Sequence, residues 1–62
     1  MTLTERDIGR WVRYNNGDKG RIKRFDNELK VAWVVYKCNN NWDGFWMDYT
    51  AEATQYKDLI LL

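Results

Sequence analysis

The sequence predicts an all-β fold: a small barrel of five short strands, with one 3-10 turn before the last. Three observations point there. Apolar and β-branched residues alternate with polar ones in short runs. Clusters rich in Asn, Asp and Gly separate those runs. No stretch sustains helical apolar spacing long enough to make a stable helix.

GRWVRY, residues 9–14, alternates and fits a half-buried first strand, ending at the loop NNGDKG. Gly17 and Gly20 are expected as permissive backbone points of that loop. GRIKRF, residues 20–25, is the second strand, with Ile22 pointing inward, and Asp26, Asn27 and Glu28 turn the chain. LKVAWVVYK, residues 29–37, is the strongest strand signal. It is apolar on both faces and so is expected to be central and covered on both sides. After the polar loop CNNNWDG, the fourth strand is expected in GFWMDY, residues 44–49. A loop closed by a helical turn at 56–59, starting near Thr54 or Gln55, leads to LILL as the fifth.

At 62 residues the chain is one domain, and a domain of this size buries only about 60% of the surface its unfolded chain exposes. Ten residues are Phe, Trp or Tyr, more than so thin a core can hold, so some rings must lie at the surface. No apolar run approaches the roughly 18 residues of a membrane span. The first ten residues, MTLTERDIGR, are charged and contain no apolar signal segment, which predicts a cytoplasmic protein. There is no histidine and a single cysteine, Cys38, which excludes an internal disulfide, His-based catalysis and His metal sites. No cofactor or metal is expected.

The net charge is +1 but unevenly spread. Residues 8–25 carry six bases against one acid, whereas residues 38–62 carry one base against four acids.

The segment GRWVRYNNGDKGRIKRF, followed by the apolar run 31–36, resembles the KOW and Tudor-like branch of the SH3-like barrels. Val12, Gly17, Gly20 and Ile22 occupy the places of the KOW strand, loop and Gly-x-Ile motif, and YKDLILL resembles the one-turn helix and closing strand of many SH3-like barrels. The wider pattern is also similar to small bacterial and phage proteins, a resemblance that implies no activity. KOW and Tudor-like domains are binding modules for RNA, DNA or protein segments, so the resemblance implies binding rather than catalysis.

Two candidate sites follow. With Ile8, Val12 and Ile22 inward, strand alternation sends Trp11, Arg13, Arg21, Lys23 and Phe25 to the opposite face of one hairpin. Cations attract phosphate and an exposed ring stacks on an unpaired base, so this basic-aromatic face is the expected nucleic-acid surface. The plainer role of the same residues is solubility, with basic stems covering ring edges.

The alternative is a protein-interaction or self-associating module using Trp42, Phe45, Trp46, Met47 and Tyr49. Within it, the Tudor-like resemblance implies a cage for a methylated cation from Tyr14, Trp42, Phe45 and Tyr49 with Asp43 or Asp48. Trp42, Phe45 and Tyr49 also suit plugging of the barrel mouth. In a strand the neighbours Trp46 and Met47 face opposite ways, so one of them must be outside. Asp43 and Asp48 find no supporting residue types for acid-base catalysis, and the expected function is non-enzymatic.

Overall fold

A computed structural model describes residues 1–36 and 45–62. They form a five-stranded antiparallel sheet: β1 (Trp11–Tyr14), β2 (Lys19–Asp26), β3 (Val31–Val35), β4 (Glu52–Gln55) and β5 (Leu59–Leu61), in the order β4-β3-β2-β1-β5. No α-helix occurs among the described residues, and 3-10 turns lie at Glu5–Asp7, Trp46–Asp48 and Tyr56–Asp58. The sheet is open, with β4 and β5 at its edges.

The first hairpin pairs Trp11 with Arg21, Val12 with Gly20 and Arg13 with Lys19. Its loop is set by Asn16, whose Oδ1 accepts from the Asp18 N–H at 2.9 Å, and by Gly17 at φ +96°. Gly20 is not a loop residue with positive φ but a buried position within β2. A Cβ there would stand 2.5 Å from Val34 Cγ1 and 2.7 Å from the Val35 carbonyl oxygen, so close strand packing requires glycine. The second turn is held by Asp26, whose carboxylate accepts from the N–H groups of Glu28 and Leu29.

The fourth strand lies elsewhere than expected. It is Glu52–Gln55, whereas residues 46–48 of the expected strand form a 3-10 turn. EATQ has weak intrinsic β preference, and pairing makes it a strand: Ala32 opposes Thr54 and Trp33 opposes Ala53. Thr54 points inward, donates to the Glu52 carbonyl and shares a 2.8 Å hydrogen bond with the Tyr36 hydroxyl. The 3-10 turn before β5 is found at Tyr56–Asp58 with Gln55 as its N-cap.

Leu3, Val12, Ile22, Ala32, Val34, Tyr56 and Leu59 form the core on the inner face, flanked by Ile8, Tyr14, Phe25, Tyr36 and Leu61. Each wholly buried aliphatic side chain contributes about 1.5–3 kcal/mol. β3 is interior and buried on both faces, since Ala32 and Val34 enter this core while Val35 faces out and packs with Trp46, Tyr49 and Ala51.

The N-terminal segment closes one end of the core. Thr4 and Asp7 make a reciprocal capping box at the first 3-10 turn. Hydrogen bonding by the Thr4 N–H, then by Arg10, holds the Asp7 carboxyl below its ordinary value. Asn27 ties Leu3 to the β2–β3 turn: its Nδ2 donates to the Leu3 carbonyl at 2.8 Å, and its Oδ1 accepts from the Leu3 N–H and from the Tyr56 hydroxyl.

Candidate nucleic-acid interface

The outer face of the sheet collects the basic residues. β1 turns Trp11 and Arg13 outward, and β2 turns Lys19 and Arg21 outward beside them. Between Ile22 and Arg24 the register with β3 shifts by a β-bulge at Lys23. The extra residue resets alternation, so Arg24 stays outside opposite Trp33 while Phe25 goes to the inner face opposite Ala32 and packs against the core. Phe25 therefore leaves the expected basic-aromatic face. Trp11, Arg13, Arg21 and Lys23 are brought together on it, joined by Lys19 and Arg24, which simple alternation did not select. The signal for Lys19 was available, because a hairpin centred on residues 14–18 sets 13 opposite 19.

Three of these cations are already engaged in structure. The Arg21 guanidinium lies 4.5 Å from the Trp46 ring centroid and 5.5 Å from that of Trp11, and its Nε donates to the Gly9 carbonyl at 2.9 Å. Lys23 Nζ donates to the Tyr49 carbonyl at 3.1 Å. Together they fasten the segment 45–51 onto the sheet. The Arg24 guanidinium carbon lies 4.3 Å from the Trp33 ring centroid, a cation–π contact.

Arg13 and Lys19 differ. Both are exposed and directly opposed across the hairpin, and neither has a carboxylate within ion-pair distance among the described residues, where Arg10–Asp7 is the ion pair found. Like charges in direct cross-strand opposition destabilise a sheet. On their other side Arg13 is opposite Ile60, which is 57% exposed.

The second expected site divides. Trp42 and Asp43, with Cys38, lie outside the described residues. Trp46 is only 9% exposed, seated on Val35 and Arg21, so little of its ring reaches the surface. Met47 is the exposed member of that pair at 40%, although a 3-10 turn rather than strand alternation separates them. Phe45 is exposed and Tyr49 half-buried beside Trp46. Tyr14 packs edge-on against Tyr36 with centroids 6.1 Å apart, beside the main core rather than beside Tyr49. The described rings of the expected cage are thus split between the two faces.

A cleft of about 590 Å³ opens beside Tyr14 and Tyr36, with Asp18, Glu52, Lys57 and Asp58 in its lining. Burial pushes the Tyr36 phenol above its ordinary value, the Thr54 hydrogen bond opposes this, and the Glu52 charge adds to it. A shallower recess of about 600 Å³ lies against the outer face, lined by Arg10, Trp11, Lys19 and Leu62. Among the described residues no group of three or more His, Cys, Asp or Glu side chains could hold a metal, and no helix is long and apolar enough to cross a membrane.

Comparison with protein-family models, with curated proteins and with solved structures returns no significant match.

Proposed function

We propose that the chain is a non-enzymatic binding module that takes nucleic acid on the outer face of β1 and β2. The observation that carries this reading is the directly opposed pair Arg13 and Lys19, with Arg24 and Lys23 further along the same face. Such a pair disfavours the fold by itself, and an anionic ligand relieves it. Trp11, 38% exposed beside this pair, adds an aromatic plane. A cytoplasmic location goes with the reading, since such a ligand is met there.

The same proposal extends to architecture. Strand order β4-β3-β2-β1-β5, with a 3-10 turn between the last two strands, supports assigning the sheet to an SH3-like barrel of the KOW or Tudor-like type. The alternative, protein contact or self-association, rests on Phe45 and Met47, exposed on the segment packed over the outer face. Burial of Trp46 weakens it.

Binding of labelled single strands and duplexes, measured by anisotropy at about 50 and 200 mM salt, tests the reading. For a single strand contacted through about four phosphates, the fourfold rise in salt weakens binding about 50-fold. The double variant Arg13→Glu with Lys19→Glu abolishes it. Absence of binding at tens of micromolar in low salt, or an affinity untouched by the double variant, overturns the proposal.

A further inference from the structure

Resting on that reading, we infer that the ligand is single-stranded, with one unpaired base seated in the recess between Trp11 and Leu62. This site forms where β5 runs out beside β1. The Leu62 N–H donates to the Trp11 carbonyl at 3.0 Å, fixing Leu62 beside the Trp11 backbone. Arg10 holds the same corner, its Nε donating to the Leu62 carbonyl at 3.4 Å and its Nη1 lying 3.2 Å from Asp7 Oδ1. The recess therefore has two apolar walls, the Trp11 ring and the Leu62 side chain; Arg10 is held against the Leu62 main-chain oxygen, Lys19 is the remaining cation, and among the described residues no Asp or Glu side chain lines it.

That combination selects a ligand that is flat and apolar in one part and anionic in the next. A nucleotide is such a ligand: its base lies against the indole and its phosphates reach Lys19, with Arg13 directly opposite Lys19 on the hairpin. An acidic peptide would satisfy the cations but offers no plane for Trp11. A duplex satisfies the phosphate contacts, yet its base faces are consumed by stacking within the helix. The recess thus discriminates single strands from duplexes, while the Arg13–Lys19 pair does not.

The test compares three probes at one low salt concentration: an oligothymidylate strand, an abasic strand of the same length, and a duplex. The seat predicts that oligothymidylate binds more tightly than the abasic strand. It also predicts that Trp11→Ala weakens oligothymidylate roughly 5- to 150-fold, the span expected for one stacked base. Binding of the abasic strand and the duplex is expected to be unchanged. Trp11→Phe retains most of the affinity but loses the quenching of Trp11 emission by the ligand, and Leu62→Asp removes the other apolar wall and weakens oligothymidylate as well. If all three probes bind equally, the seat is wrong while the phosphate-binding reading survives. If none binds, both are wrong. Should Trp11→Ala fail to fold, the wild-type comparison of oligothymidylate with the abasic strand still decides.

Discussion

Replacing Asn27 with Ala tests how the N-terminal segment is held to the sheet. The amide links three places far apart in the chain: it donates to the Leu3 carbonyl at 2.8 Å and accepts from the Leu3 N–H at 3.0 Å and the Tyr56 hydroxyl at 2.7 Å. Each net hydrogen bond is worth about 0.5–1.5 kcal/mol, and a buried donor left unpaired costs about 1–3 kcal/mol. Asn27 is itself exposed, so water can replace part of what the Leu3 backbone loses, but Tyr56 is buried and its hydroxyl has less recourse. The sum comes to about 2–3 kcal/mol, set against roughly 3–9 kcal/mol for a domain of this size. In thermal denaturation followed by near-ultraviolet circular dichroism, that corresponds to a Tm lowered by about 10 °C or more. Tyr56→Phe removes one of the three bonds and strands no donor, so it should cost only about 1 kcal/mol. A loss of less than about 1 kcal/mol for Asn27→Ala, or equal losses in the two variants, would refute the account.

Three further outcomes follow from the packing. Gly20→Ala places a methyl group against Val34 Cγ1 and the Val35 carbonyl oxygen, and because backbone cannot yield as a side chain can, urea denaturation should show a loss of at least about 1–3 kcal/mol. Trp46→Ala uncovers Val35 and removes the ring on which Arg21 stacks, with an expected cost of about 3–5 kcal/mol in the same assay. At alkaline pH, burial raises the phenols of Tyr36 and Tyr56 above their ordinary value of 10.0. Their contribution is complete below that value and is lost as pH rises through the folded-state pKa values. Stability should therefore fall above about pH 10, and less steeply in Tyr56→Phe.

How much of this was legible in the sequence depended on whether a residue's neighbours in the chain were also its neighbours in space. β1 and the first half of β2 alternate regularly, and the inward positions Val12 and Ile22 follow from that alternation. The bulge at Lys23 has no signature in GRIKRF, and it alone moves Phe25 from the outer face to the core. The fourth strand was obscured by a contrast: GFWMDY is rich in strand-favouring rings, EATQ is not, and pairing with β3 decided for the weaker segment. The turn at Tyr56–Asp58 was readable because Thr50, Thr54 and Gln55 break helical apolar spacing and leave room for one turn only before LILL. Of the expected basic face, the residues from β1 and from β2 before the bulge lie where alternation puts them. The packing of Trp46 over Arg21 joins positions 25 residues apart and was not readable from periodicity.

That long-range contact changes how the two expected sites relate. They are neighbours: the aromatic segment 45–51 lies on the outer face and is fastened there by Arg21 and Lys23, two of the cations expected to serve the ligand. Arg21 is bounded by Trp11 and Trp46 and bonded to Gly9, where even a Cβ would approach its guanidinium to 3.3 Å. A charge reversal at Arg21 would consequently disturb the aromatic segment as well as any bound phosphate, and a loss of binding would not distinguish the two. Arg13 and Lys19 lack that ambiguity, because their mutual repulsion contributes nothing favourable to the fold. A charge reversal at the opposed pair would therefore test the proposed binding without removing a contact that supports the fold.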